Sequence, residues 1–160
     1  MAIAKVIISN RQKEIKIPAG VRLLMRRCCQ AVLQTEGFPE PVEICISFIS
    51  NEEIKKLNRE FRGVDAVTDV LSFPLGENGV YDRNPDTGAL QLGDIAISMQ
   101  KAEQQAEQYG HTLQREVAYL TVHSTLHLLG YDHEDDPQGE AVMVELQERI
   151  LNSLNIKRPE

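Results

Sequence analysis

The segment Thr121–His133, which reads T-V-H-S-T-L-H-L-L-G-Y-D-H, limits what this chain can become more than any other stretch. His123 and His127 are four apart. On a helix that spacing turns about 40° and sets the two Cβ atoms roughly 5–6 Å apart on one face. Both imidazoles can then reach a single metal ion at about 2.0–2.1 Å, the usual zinc–nitrogen distance. Gly130 follows as a helix C′ residue that reverses the chain and returns His133 towards the same point. Three neutral imidazoles leave a fourth position on zinc, which is the layout of a catalytic site rather than a structural one. A bare histidine pair at this spacing is more often two unrelated side chains. The third histidine, placed after a helix-stopping glycine, tips the balance to a metal, and three of the chain's four histidines fall in these eleven residues.

The surroundings agree. Val117–Leu129 contains no Lys, Arg, Asp or Glu, so the helix is apolar nearly all round and belongs in the interior. Charged imidazoles stranded there would be costly, whereas metal ligation keeps them neutral and satisfied. The uncharged run is 13 residues long, too short to cross a bilayer, and no membrane association is expected.

A chain of 160 residues, 42% hydrophobic and 26% charged, is expected to form one globular domain over 1–160 with a real core. Three cysteines, two of them the adjacent Cys28 and Cys29, make no disulfide framework; they suit core packing in a reducing cytoplasm. The first residues read as a strand rather than a signal peptide. A net charge of −7 argues against broad, non-specific nucleic-acid binding but leaves room for a local basic groove.

Along the chain, 2–8 and 14–17 read as two strands of a hairpin. Pro18 opens a helix to about Glu36, with Arg22, Arg26 and Arg27 on its outer face as solvated charges or a phosphate-facing patch. Val42–Ile49 alternates as a strand. Ser50 and Glu53 form a capping box for a short helix with Ile54, Leu57 and Phe61 inward and Gly63 as its stop. Lys55, Lys56, Arg59 and Arg62 make that helix the densest basic stretch. Asp69–Phe73 is the next strand, closed by Pro74, and Gly76–Gly88 a mobile loop. Leu90–Ile97 is a strand interrupted at Gly93-Asp94. Ser98 caps a polar helix to Tyr109, Thr112 caps the histidine helix, and Asp136-Pro137 starts the last helix, with a frayed tail from Asn155. The expected fold is α+β: a mixed sheet of about four to five strands covered by helices, around a buried central helix that carries the metal ligands.

The pattern H-x3-H-x5-H has the ligand spacing of the metzincin peptidases, with one departure. Those enzymes carry Glu directly after the first His as general base; here the residue is Ser124. The metal cage is kept and the base is lost, which disfavours peptide hydrolysis. A zinc ion that polarises an oxygen also suits phosphodiester cleavage, provided a cation serves the non-bridging phosphate oxygens. Arg62, at the end of a capped helix beside Gly63, is the candidate.

Leu57-Asn58, Phe61-Arg62-Gly63, Thr68-Asp69-Val70-Leu71-Ser72-Phe73-Pro74, Gly93-Asp94-Ile95 and His123–His133 occur in the order seen in the YbeY family of bacterial endoribonucleases, which the chain resembles from about Val42 to His133. Many members have Gly at the position of Ser124, so the missing acid is a family feature. The resemblance implies a single-strand-specific, metal-dependent endoribonuclease in ribosomal RNA maturation, notably at the 3′ end of the small-subunit RNA, and in ribosome quality control. It implies zinc on His123, His127 and His133, a functional arginine at Arg62, and partners that include a small-subunit ribosomal protein and a ribosome-assembly GTPase. Nickel or iron(II) would also accept three imidazoles. Two other readings stay open: a zinc peptidase or amidase, and a non-catalytic zinc-containing ribosome-assembly factor. Asp65, Thr68 and Asp69 fix the turn into the strand or touch the site, Asp132 and Asp135 flank His133 as orienting or loop-capping groups, and His111 is expected to be solvated.

Overall fold

The alternation of Val42–Ile49 builds the strand at the centre of the molecule. Ile44, Ile46 and Phe48 are fully buried on one face, while Cys45 and Ser47 remain partly accessible on the other. The structure, a computed structural model, describes residues 3–77, 79–131 and 136–156. Its elements in chain order are β1 (Ala4–Asn10), α1 (Val21–Thr35), β2 (Val42–Ile49), α2 (Asn51–Arg62), β3 (Val70–Pro74), β4 (Leu90–Ser98), α3 (Met99–Tyr109), α4 (Leu113–Leu128) and α5 (Pro137–Ser153). Four strands form one mixed sheet in the order β1-β2-β4-β3. β1 and β4 lie parallel to β2, and β3 pairs antiparallel with β4 as an edge strand. This is the α+β single domain expected.

The hairpin expected near the N-terminus does not form. β1 runs parallel to β2, and two parallel strands need a crossover, which α1 supplies. The alternating residues 14–17 are not a strand. The Gln12 amide closes a turn there: Nε2 donates to the Ile15 carbonyl at 2.8 Å and Oε1 accepts from the Ile15 N–H at 2.9 Å. These bonds take the place of a ladder, and Ile15 and Ile17 pack onto the core from the turn.

Helix α1 begins at Val21 after Gly20 rather than at Pro18, but α2, α3 and α4 start at the capping residues expected. Ser50 accepts from Glu53 N, Ser98 from Lys101 N and Thr112 from Arg115 N, at 3.1–3.2 Å, each satisfying a donor the helix itself leaves open. Helix α2 buries Ile54 against Ile49, Leu71 and Ala96 on the sheet face opposite α4, with Leu57 and Phe73 beside them. Phe61, expected inward, is not: it is 66% exposed, with its ring T-shaped to that of Phe73 at 5.2 Å between centroids. It shares the helical stripe of Ile54 and Leu57, but by the last turn that stripe has reached the margin of the sheet.

β4 continues through Gly93-Asp94 rather than breaking. Its register against β2 shifts between Glu43 and Ile44, a bulge that leaves Leu92 as the additional residue. Gly93 has φ 149°, and a Cβ there would overlap the Phe73 carbonyl oxygen and press on Leu128 at 2.8 Å. The glycine thus permits the close approach of β3, β4 and the end of α4. In the expected loop, Tyr81, Asn84 and Thr87 are tied to the rest of the fold. Tyr81 is buried and donates to the Leu128 carbonyl at 2.6 Å, while Thr87 and Asn84 donate to the Glu43 carboxylate at 2.6 and 3.1 Å.

Helix α4 is enclosed as its lack of charge predicts. Val117, Leu120 and Leu128 join the sheet and α1 in the main core, and Ala118, Val122 and Leu126 pack with α1 and with Met143, Leu146, Ile150 and Leu151 of α5. Its buried hydroxyls are all satisfied within the helix: Thr121, Ser124 and Thr125 donate to the carbonyls of Val117, Leu120 and Thr121 at 2.6–2.8 Å. Cys28 and Cys29 are fully buried, and burial pushes their thiols up to about 12 and about 11, so both are inert packing groups.

The start of α4 holds a buried ionisable pair. His111 Nε2 lies 3.5 Å from Glu116 Oε2, and both side chains are nearly inaccessible, so His111 is not solvated as expected. Burial pulls its pKa below the usual value, with Arg115 adding to the effect. Burial, reinforced by Asp69 and opposed by Arg115, pushes Glu116 up to about 7. Between the ordinary glutamate pKa and 7 the unfolded chain therefore binds fewer protons at Glu116 than the folded one, and the contribution of Glu116 to stability falls as pH rises. Glu116→Gln is expected to match the wild type near pH 4 and to exceed it by roughly 1–2 kcal/mol above pH 7.5. Denaturant melts of both proteins from pH 4 to 8 check this; a difference that does not grow with pH would refute it.

Candidate metal centre

One stripe of α4 escapes the core. From Glu116 to Leu128 the partly accessible residues are Tyr119, His123 and His127, each four apart. The rings of Tyr119 and His123 stack at 6.0 Å, and those of His123 and His127 meet edge to face at 4.6 Å. The two Nε2 atoms converge to 3.0 Å. Two nitrogens bound tetrahedrally to one ion at about 2.0–2.1 Å would sit about 3.3–3.4 Å apart, so a small rotation of either ring makes the pair a chelate.

The sequence contains no signal for the group that orients His123. Its Nδ1 lies 3.3 Å from Gln147 Oε1, on α5, and Gln147 is 1% exposed. Facing a carboxamide oxygen, which can only accept, Nδ1 is placed to donate, the tautomer that leaves the Nε2 lone pair for the shared point. This is how an outer partner fixes the tautomer of a metal-binding histidine. Gln147 is 24 residues from His123 in the chain, beyond the reach of any local spacing rule.

Gly130, with φ 103°, ends the helix as expected. Its N–H bonds to the His127 carbonyl, and that of Tyr131 to Leu126, so the chain turns back beside His127. The third predicted ligand, His133, and the flanking Asp132 and Asp135 lie outside the described residues. Among the described residues no group of three His, Cys, Asp or Glu gathers at one point, and none of their carboxylates joins His123 and His127. Ser124, where a peptidase has its base, faces the core. The two rings that are described fit a transition-metal ion: both imidazoles, both with ε nitrogens converging, one with its tautomer set.

His127 opens into a groove of about 580 Å³ whose other wall is the edge strand β3, with Val70, Ser72 and Pro74, and whose rim includes Arg62, Glu77 and Tyr131. Arg62 is the last residue of α2, held there by the Gly63 N–H bonded to the Arg59 carbonyl at 3.1 Å. The fold thus brings Arg62 and His127, 65 positions apart in sequence, to one cleft. Asp69 stays with the turn: its Oδ1 accepts from Val70 N at 2.8 Å and Thr68 Oγ1 at 3.3 Å. Asp65 lies 3.6 Å from Arg59. Arg22, Arg26 and Arg27 are exposed on α1, whose residues do not line this groove.

Residues 7–155 match the family model described as Endoribonuclease YbeY. The Endoribonuclease YbeY of Caldanaerobacter subterraneus is 46% identical over 158 residues, covering 96% of this chain and 99% of that one. Those of Thermoanaerobacter sp. and Clostridium acetobutylicum are 44% and 42% identical with the same coverage. Among solved structures, the solution structure of TM1509 from Thermotoga maritima superposes with a TM-score of 0.58 at 26% identity, covering 94% of this chain and 92% of that one. A near-full-length family match and relatives well above 40% identity over almost the whole of both chains carry one conclusion: this protein belongs to the YbeY endoribonuclease family.

Proposed function

We infer that this protein is a metal-dependent endoribonuclease that cuts single-stranded RNA in ribosomal RNA maturation, at the 3′ end of the small-subunit RNA, and in ribosome quality control. The observation that carries the reading is the meeting of His127 and Arg62 in one groove, in a chain of this family. His123, His127 and His133 would hold one zinc ion, and the ligand set supports zinc over magnesium or calcium, which prefer oxygen donors. Bound there, the ion supplies Lewis-acid polarisation and acidifies water. Gln147 fixes the orientation of His123. Arg62 offers a planar fork of donors to the non-bridging oxygens of a phosphodiester, where negative charge grows during attack. An open cleft rather than a deep pocket suits an extended chain. The small ribosomal subunit and its assembly factors are the expected partners, in the cytoplasm, and among the described residues no helix is long and apolar enough to cross a membrane.

The peptidase reading is not favoured, since the family model and the relatives are endoribonucleases and the residue after His123 is Ser124 rather than Glu. The test is cleavage of one RNA sequence presented unpaired and in a duplex. Cutting of the unpaired form alone, stopped by a chelator and restored by zinc, is the expected result. Equal cutting of both forms would refute strand selectivity, and no cutting of either would refute the activity. A 2′-deoxy substitution at the scissile nucleotide separates the two attacking groups: continued cleavage excludes the ribose 2′-hydroxyl.

A further inference from the structure

We propose that Phe61 is a stacking platform for an unpaired base next to the phosphate that Arg62 braces; this rests on the endoribonuclease reading above. Phe61 is one of only four phenylalanines in the chain, and it is 66% exposed although it lies on the helical stripe that buries Ile54. It is nonetheless held in place. Its ring is set edge-on against Phe73 at 5.2 Å and 68°, and Phe73 belongs to β3, the strand that forms one wall of the groove. Helix α2 ends one residue later, so the backbone beneath the ring is fixed.

The position gives this exposed ring its meaning. β3 is the sheet edge. Val70, Leu71, Ser72 and Pro74 line the groove, whereas Phe73 packs with α2 on the face opposite α4. Arg62 reaches the groove and Phe61 stands on the α2 side, so adjacent residues straddle the edge strand. An RNA whose phosphate lies between His127 and Arg62 leaves the cleft over this edge and meets Phe61. Beyond it α2 presents exposed Lys55, Lys56 and Arg59, which line a depression with Arg11 and with Glu52 and Glu53, Glu53 being paired to Arg11 at 2.7 Å. Four basic residues against three glutamates give α2 a small positive excess on a protein of net charge −7, and an aromatic face beside cations is how sequence-tolerant single-strand sites are built. A duplex keeps its bases stacked within itself and offers none to such a ring, so the same residue favours unpaired RNA.

The protein has no tryptophan, so Phe61→Trp creates a sole reporter. Its emission is expected to be quenched by an unpaired RNA oligonucleotide and left unchanged by an abasic ribose-phosphate oligomer of equal length. Phe61→Leu, which keeps an apolar contact with Phe73 but loses the π face, is expected to lower kcat/KM on unpaired RNA about tenfold, chiefly through KM. Phe61→Tyr should stay within about twofold of wild type. Equal quenching by the abasic oligomer, or an unchanged KM in Phe61→Leu while the wild type cleaves RNA, would overturn the stacking role alone. A wild type that cleaves no RNA would overturn the endoribonuclease reading and this inference with it.

Discussion

His127→Ala is expected to abolish both stoichiometric zinc and RNA cleavage while leaving the fold intact. The ring is partly accessible on the single open stripe of α4, so its removal creates no large core cavity, and alanine is the best helix former. What disappears is one arm of a chelate whose nitrogens converge to 3.0 Å. Removing a ligand from a three-imidazole site leaves two, too few to hold zinc tightly at neutral pH. Turnover should drop at least about a thousandfold if the ion supplies the chemistry proposed. Metal analysis, cleavage of unpaired RNA and melting curves with and without zinc check this together. The wild type should melt higher in zinc, since a ligand held at about 100 times its Kd adds about 2.7 kcal/mol. The variant should show no zinc response and melt where the metal-free wild type does.

That third measurement separates an enzyme from a non-catalytic assembly factor. If zinc served the fold, His127→Ala would collapse the protein and no cleavage would be lost, because none would exist. The packing of α4 speaks against collapse. Its core contacts come from Val117, Leu120, Val122, Leu126 and Leu128, and its buried hydroxyls are bonded within the helix, so the helix is held without the histidines. Gln147→Leu offers a milder version of the same test. It keeps the volume between α5 and α4 and removes the acceptor at His123 Nδ1, and should weaken zinc binding by about 10–100-fold.

Signals that act within a few residues could be read from the sequence: the capping serines and threonine, the charge-free run of α4, the alternation of β2, the stop at Gly130. Each is a local rule, and the structure obeys it. Misreadings came where a local pattern was overruled from a distance. Glu14-Ile15-Lys16-Ile17 alternates like a strand, but β1 takes the distant β2 as its parallel partner and the Gln12 amide ties Ile15 into a turn, so no hairpin forms. The 54, 57, 61 stripe of α2 is apolar throughout, yet the sheet is not wide enough to cover its last member. The segment 76–88 has the composition of a loose loop, yet Tyr81 and Thr87 within it bond to partners more than 40 residues away. Gln147 was illegible for the same reason. The candidate ligands were legible because helical geometry links His123 to His127; the residue that orients one of them comes from another helix.

Arg62→Ala should separate metal binding from catalysis. Arg62 ends α2 across the groove from His127, outside the set of imidazoles, so the variant should bind zinc like the wild type. Its loss should instead reduce kcat by about 10²–10³, the usual cost of one preorganised donor aimed at developing charge. Arg62→Lys discriminates further. A lysine keeps the charge but not the planar fork, so a role in gripping two phosphoryl oxygens predicts only partial recovery, whereas a purely electrostatic one predicts nearly full recovery. The competing explanation is structural, because a basic residue in the last turn of a helix also opposes the macrodipole, worth about 0.3–1 kcal/mol at an exposed end. That role would lower the melting temperature slightly and leave kcat alone. Activity near wild type with zinc retained would remove Arg62 from the chemistry and leave the histidines in a groove with no cation yet assigned to the phosphate.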